Sequence, residues 1–228
     1  MEKKVGALMH LEIILSFIIF FSFVLFLLLF IKPYNQNALS DALLISLESS
    51  FDKNVSTNLT KIFLKENTNK ACFSVDFDYI DPSQKSLAKN LSESLIPSYF
   101  SANKININNP DTSKPKFFYL YFSEEFNAGP AIACDLSSDF EIGSVEKKIL
   151  VSDKKMQKLK NEYDNKYVDL KKEFKIPNSL DFAIASKGYL NLEKEIPLES
   201  EVIARTYTKD VLFEDGTIKP IQFTFKVW

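Results

Sequence analysis

The chain has 228 residues, of which 46% are apolar and 25% are charged, so it is long enough for one domain with a hydrophobic core and a further segment. Its 28 Lys and Arg residues nearly balance its 30 Asp and Glu residues, which excludes the basic surface typical of nucleic-acid binding. The single histidine, His10, and the five glycines argue against histidine-based catalysis, histidine metal sites and phosphate-binding loops.

An apolar run from Ile13 to Ile31 follows a short start that contains Lys3 and Lys4. Nineteen helical residues at about 1.5 Å each extend over roughly 28 Å, close to the thickness of one hydrocarbon core. The lysines before the run predict a cytoplasmic N-terminus, and no second run of spanning length follows. The sequence therefore predicts a single-pass protein of the cell membrane, with a transmembrane helix over 7–32 and an extracellular C-terminal domain.

The segment after Pro33 has the periodicity of an amphipathic helix. Its apolar residues share one helical stripe, formed by Leu39, Leu43, Leu44, Leu47 and Phe51. We therefore predict a helical stalk over 33–53 and an extracytoplasmic α+β domain over 54–228.

Strand patterns begin after this stalk. The runs "NVSTNLTKIFLKE" and "ACFSVDFDYI" flank "NTNK", which predicts a strand, a turn and a second strand. Segment 81–115 contains four prolines and several asparagines, and this composition predicts mostly loop with one short helix around 86–95. "KFFYLYFS" is apolar on both faces, which is typical of a covered central strand, and "EKKILVS" predicts another strand.

The last third of the chain predicts a helix, a short strand in "DFAIAS" and a terminal hairpin. Asp153 can cap a helix that runs to about Lys175, because apolar residues recur there at helical spacing. Asp215-Gly216 between two strand-like runs is a strong hairpin signal, and Pro220 predicts an edge position or a strand start. The predicted fold class is α+β: a long N-terminal transmembrane helix, then an antiparallel-sheet ectodomain with one further helix.

The chain contains two cysteines, Cys72 and Cys134. In an oxidising compartment an even count predicts a disulfide, whereas two separate buried thiols are the alternative interpretation. Three sequons begin at Asn54, Asn58 and Asn90, and chance alone yields about two in a chain of this composition. These asparagines are therefore candidate glycosylation sites and nothing more.

The acidic stretch "DFDYID" contains Asp76, Asp78 and Asp81, which are candidate ligands for calcium. Its spacing lacks the glycine and the terminal glutamate of an EF-hand, and the polar face of a half-exposed strand explains the same residues. No spacing of carboxylates in a sequence establishes a carboxylate-dependent enzyme. We therefore predict no catalytic, cofactor-binding or metal-binding residues.

The stretch "KKVG", followed by "ALMHLEIILSFIIFFSFVLFLLLFI", resembles the class III signal peptide of archaeal type IV pilin-like proteins. In that family a prepilin-type peptidase cuts a short basic leader after its glycine, and the remaining apolar helix packs in a filament core. The resemblance implies a cytoplasmic leader over 1–6, cleavage between Gly6 and Ala7, and an assembly role for Glu12. Glu12 would be the sixth residue of the processed chain, whereas the family's glutamate is usually the fifth.

Three hypotheses for function follow. By resemblance, the chain is a pilin-like structural subunit of a surface filament or secretion-type assembly. Its partners would then be membrane lipid, the peptidase and other copies, which would associate through the N-terminal helix. The alternatives are an unprocessed single-span binding module at the cell surface and, third, a carboxylate-dependent enzyme. We expect no cofactor and no nucleic-acid partner.

Overall fold

The computed structural model describes the backbone of residues 3–30, 36–110 and 115–228, and the side chains of 14–27, 41–110 and 115–228. The chain divides into two compact units, Met1–Leu43 and Leu44–Trp228. Helix α1 covers Lys3–Phe30, and helix α2 covers Gln36–Val55.

No helix in the part of the chain that the structure describes is long and apolar enough to cross a membrane. The predicted transmembrane helix over 7–32, the single-pass localisation with an extracellular domain and the pilin-like architecture are therefore wrong. Pro33, where the stalk was predicted to begin, lies outside the described residues.

Among the residues whose side chains the structure describes, strands make up 42% and helices 25%. The strands are β1 Ser56–Glu66, β2 Cys72–Asp76, β3 Lys85–Asn90, β4 Leu95–Ile96, β5 Ser98–Ser101, β6 Lys104–Asn108, β7 Lys116–Ser123, β8 Phe140–Ser152, β9 Phe182–Ser186, β10 Leu190–Leu192, β11 Ile203–Leu212 and β12 Ile218–Val227. Helices α3 and α4 cover Asp153–Asn165 and Tyr167–Glu173. A curled sheet contains nine strands in the order β10-β9-β12-β11-β8-β1-β7-β3-β4, and a smaller sheet contains β2-β6-β5.

The predicted α+β class is wrong because β-structure occupies segments that the sequence assigned to loop and helix. Segment 81–115, predicted as loop with a helix around 86–95, contains β3, β4, β5 and β6. Its four prolines all lie outside these strands, so they do not interrupt a ladder. The single helix predicted from Asp153 to Lys175 is divided at Lys166, whose φ of −136° is not helical. Ser152, not Asp153, is the N-cap, and its side chain accepts from the Lys155 amide.

The two strands predicted on either side of "NTNK" form as β1 and β2, but they do not pair with each other. Strand β1 pairs antiparallel with β7 on one side and with β8 on the other, whereas β2 pairs with β6 in the smaller sheet. The "NTNK" segment therefore connects two sheets. The eleven residues of β1 match the length of β7 and β8 better than that of the five-residue β2, so the long pairings satisfy more of its backbone groups.

Two large hydrophobic clusters stabilise the unit that begins at Leu44. In the first, buried side chains of α2, α3 and α4 pack against β9, β10, β11 and β12. Phe51 of α2 is fully buried there, with its ring centroid 5.5 Å from that of Phe223 and 5.2 Å from that of Phe225. In the second cluster, the smaller sheet covers β1, β3 and β7. From Leu44 to Phe51, the apolar stripe of α2 thus meets a sheet, as its periodicity predicts.

The terminal hairpin forms where the sequence places it. Strands β11 and β12 pair antiparallel from Ile203–Val227 to Leu212–Ile218, and Gly216 in the turn has a φ of +75°. A residue with a side chain rarely adopts that angle, so glycine suits this position. Pro220 pairs with Asp210 of β11, whereas β9 pairs with β12 only over 224–227. The missing N–H of Pro220 therefore lies where β11 is the only described strand beside β12.

Candidate functional site

Strand β8 has an open edge over most of its length. On one side it pairs with β1 from Phe140 to Val151. On the other side only Val151 and Ser152 have a ladder partner among the described residues, in a short parallel pairing with β11. Residues 141–149 are all exposed. The free backbone groups of this edge are able to accept a further strand.

The pairing with β1 assigns the side chains of β8 to the two faces of the sheet, because residues opposite each other in an antiparallel pair share a face. Val145 lies opposite the buried Ile62, and Ile149 lies opposite Asn58, on the same face. Val145 is 46% exposed and Ile149 is 77% exposed. An apolar stripe therefore follows one side of the open edge, with Lys147 between its two members.

The other face of the edge is charged. Glu146 lies opposite Lys61 of β1, and Lys148 lies opposite Leu59. The carboxylate of Glu146 lies 3.0 Å from the Lys148 ammonium, and both side chains are about half exposed. An exposed pair of this kind contributes little to stability by itself, so both groups remain available to a partner.

The regular part of the edge is bounded at both ends. Towards its start, the register with β1 shifts between Phe63 and Leu64, and Gly143 is the extra residue of this bulge. A Cβ atom on Gly143 would lie 2.7 Å from the Phe63 ring, so the bulge needs glycine there. Towards its end, β11 pairs from Val151 onward. The regular free edge is therefore the stretch from Ser144 to Leu150.

A cavity of about 310 Å³ lies where β8 and β11 separate. Its lining is Asp52, Ser56, Ile149, Leu150, Val151, Lys209 and Asp210. The Lys209 ammonium donates to Glu48 and Asp52 of α2, each at 2.7 Å. Burial lowers the pKa of Lys209, but the hydrogen bonds to the two carboxylates outweigh it and raise the pKa above its usual value. These ion pairs fix α2 to β11 at the point of separation.

A second cleft, of about 320 Å³, lies on the charged face of β8, and residues of β1, β3 and β7 also line it. The Lys61 ammonium lies 4.3 Å from the centroid of the Tyr119 ring, and Lys89 lies 5.5 Å from that of Tyr121. Burial raises the pKa of Tyr121 to about 12, and the negative charge of the nearby Glu93 adds to this effect. Lys89 lies 3.9 Å from the same glutamate. The charges of this cleft are therefore largely balanced by its own residues.

The cysteines predicted as a candidate disulfide lie together. Cys72 and Cys134 are bonded through their sulfur atoms, with 5.3 Å between their Cα atoms. The bond links the first residue of β2 to the loop before β8, whose Cys134 amide also donates to Asn106 at 3.2 Å. The oxidation state of these cysteines in the native protein stays a prediction.

The candidate glycosylation sites differ in their surroundings. The side chain of Asn54 donates to the Ser50 carbonyl at 3.0 Å, and that of Asn90 accepts from two amides of the following turn. Asn58 is exposed and lies beside Ile149 at the open edge. A glycan on Asn58 would obstruct that edge, and glycosylation of all three stays a prediction.

The acidic stretch forms no cluster. Asp76 ends β2 and lies 3.8 Å from Lys104, and Asp81 accepts from the Ser83 amide at 2.8 Å. That hydrogen bond lowers the pKa of Asp81. Among the described residues no group of three or more His, Cys, Asp or Glu side chains is arranged to hold a metal ion.

The processing and assembly residues predicted by resemblance lie in α1. Gly6, Ala7 and Glu12 have helical backbone, and their side chains lie outside those that the structure describes. Farther along α1, large apolar side chains are exposed, among them Phe17 at 66% and Phe20 at 64%. Cleavage after Gly6 and an assembly role for Glu12 stay predictions.

The open edge is the feature that the sequence analysis missed. "EKKILVS" predicted a strand at this place, but the strand is longer and its free side was not predicted. One signal was available, because charged residues within a strand, lysine above all, are typical of sheet edges. Comparison of the chain with protein-family models, with curated proteins and with solved structures finds no significant match.

Proposed function

We propose that this chain is a structural subunit of a homomeric assembly whose copies associate by strand pairing at the open edge of β8. The observation that carries the proposal is the free side of β8, where nine consecutive residues are exposed and no described strand pairs. The proposal keeps the structural role that the sequence suggested and includes no membrane anchor.

The chemistry of an open edge favours this function. Each free N–H and C=O group along β8 forms a hydrogen bond with a strand that adds to the sheet, so the main chain supplies affinity. Val145 and Ile149 add apolar surface on one face, and contact between apolar side chains on adjacent strands stabilises the pairing. Proteins usually cover, shorten or charge such an edge, and here the three consecutive charges limit pairing with unrelated strands.

Association through α1 supports the same function independently. The described residues of α1 expose apolar side chains that water solvates poorly, and contact with the same helix in other copies would cover them. This is the self-association that the sequence predicted, and it stays a prediction beside the one for β8.

A double substitution tests the role of the edge. Val145→Lys with Ile149→Lys places like charges on both sides of Lys147 and removes the apolar stripe, so association should weaken about tenfold or more. Sedimentation velocity of the full chain over a concentration series measures this change. Leu198→Lys is the matched control, because Leu198 is fully exposed and lies outside every strand.

The control variant should associate as the unchanged chain does. A full chain that stays monomeric over the whole series would contradict the proposed function. Association of the Val145→Lys, Ile149→Lys double variant that is as strong as that of Leu198→Lys would also contradict the proposed function.

The predicted processing has its own test. Gly6→Leu should block cleavage between Gly6 and Ala7, and Glu12→Leu should weaken association without preventing cleavage, because an acid that meets a terminal amine away from water is strongly attracted to it. Mass spectrometry of the native N-terminus measures the first effect, and sedimentation measures the second. Native protein that retains Met1 through Gly6, with unchanged association of Glu12→Leu, would refute both roles.

A further inference from the structure

We infer that β8 of one copy pairs antiparallel with β8 of a second copy, with Lys147 of each copy opposite Lys147 of the other at a two-fold axis. This inference rests on the proposed function and specifies its interface. It assigns one occupant to the open edge, a second copy of this chain.

The pleat of a strand restricts the registers that such a pair can adopt. Two identical edges that form one continuous antiparallel sheet are related by a two-fold axis perpendicular to that sheet. Residues directly opposite each other must point to the same face, and successive residues alternate between faces. The axis therefore passes beside one residue and its own copy, never between two successive residues. Each candidate register is named by this central residue.

The boundaries of the free edge select the central residue. The regular free stretch begins at Ser144, after the bulge at Gly143, and ends at Leu150, before β11 takes over the edge. A self-paired stretch uses all of its residues only when its midpoint lies on the axis. The midpoint of 144–150 is Lys147. Any other centre leaves free backbone groups at one end or extends the pairing into the bulge or into β11.

The charges select the same residue independently. With Lys147 at the axis, Val145 of each copy faces Ile149 of the other, and Glu146 faces Lys148 of the other. The symmetric interface then contains two apolar pairs and two pairs of opposite charge. Since Glu146 and Lys148 already lie 3.0 Å apart within one strand, the four groups form a row of alternating charge across the axis.

The neighbouring registers are less complementary. With Glu146 at the axis, the two copies of this glutamate face each other, and Val145 faces a lysine. With Lys148 at the axis, its two copies face each other, Glu146 faces an apolar residue and Ile149 faces Lys147. The register centred on Lys147 also contains one pair of like charges, but four favourable pairs accompany it. This single repulsion weakens the pairing without changing its register.

A single cysteine tests the register directly. Residues opposite each other in an antiparallel pair have Cα atoms about 4.5–5.5 Å apart, within the range of about 4.4–6.8 Å that a disulfide spans. The described part of the chain contains no free cysteine, so Lys147→Cys introduces a thiol without a competing partner there. Mild oxidation of the full-length variant should link most of the associated chains into covalent dimers.

Lys148→Cys is the matched control, since it is the same change at the next exposed position. In the inferred register its copy lies two residues beyond the opposite residue, at a Cα distance of roughly 8 Å, so its dimer should form at least tenfold more slowly. If Lys148→Cys forms covalent dimers as fast as Lys147→Cys, or faster, the inferred register is wrong. Association of the chain would still support the proposed function in that case. Association that depends on Val145 and Ile149, without linkage of Lys147→Cys, would overturn it as well.

Exchange of the two charges provides the second test. Glu146→Lys alone and Lys148→Glu alone each place like charges opposite each other, so each should weaken association about tenfold. The double variant restores two pairs of opposite charge in this register and should recover most of the affinity. Recovery is an effect that damage to the fold would not produce. Failure of the double variant to recover would contradict the inferred pairing, and a monomeric unchanged chain would contradict both the pairing and the proposed function.

Discussion

Phe51→Ala is expected to lower the free energy of unfolding by about 3–5 kcal/mol. The Phe51 ring is fully buried and lies against the rings of Phe223 and Phe225. Alanine would leave a cavity between α2 and the sheet, since aromatic side chains on a strand move little to fill a space. Denaturant unfolding followed by circular dichroism measures the difference.

Ile45→Ala is the control for this substitution. Ile45 lies in the same helix but is 54% exposed, so its truncation should change the stability by less than about 1 kcal/mol. Equal losses in the two variants would show that the cost of truncation does not depend on burial at position 51, because alanine favours the helix at both positions. The position of Phe51 in the core would then be wrong.

Loss of the Cys72–Cys134 disulfide is expected to lower the free energy of unfolding by about 4 kcal/mol. The two cysteines are 62 residues apart in sequence, and a crosslink that closes so long a loop reduces the entropy of the unfolded chain substantially. Replacing both cysteines with serine should produce this loss, and denaturant unfolding again measures it.

The double serine variant also supplies the control. A reducing agent should lower the stability of the unchanged chain towards that of the variant, and it should leave the variant unaffected. Non-reducing mass analysis should find the two cysteines in one linked peptide pair. Two freely alkylated thiols in protein that was never exposed to a reductant would contradict the prediction.

Charge placement at the open edge explains how an assembly of this kind would remain selective. An apolar strand with a free edge pairs with many sequences. The charges of Glu146, Lys147 and Lys148 stabilise pairing only with a strand that carries complementary charges. The pairing would weaken at high salt, because the side chains of Glu146 and Lys148 are about half exposed and their interactions are screened.

The sequence by itself determined the elements whose signals are local. Strand-like apolar runs located β1, β7 and β9, helical spacing located α2 and α3, and Asp215-Gly216 located the final turn. Each signal is local because the spacing of the buried residues depends on the element itself and not on the element that packs against it. The resemblance of the first residues to a class III signal is also a property of sequence alone, and no described side chain bears on it.

Only the tertiary structure decided which strands are neighbours. Nothing in "NVSTNLTKIFLKE" distinguishes β2 from β7 or β8 as its partner, because backbone hydrogen bonds are the same for every sequence and the register depends on distant residues. Segment 81–115 formed strands although its asparagines and prolines predict loop, since the buried side chains of β3 and β5 pack in a shared core. The open edge of β8 arises in the same way. It exists because β11 meets β8 at Val151 and Ser152 and leaves the rest unpaired, and a contact between residues some 60 positions apart leaves no local trace in the sequence.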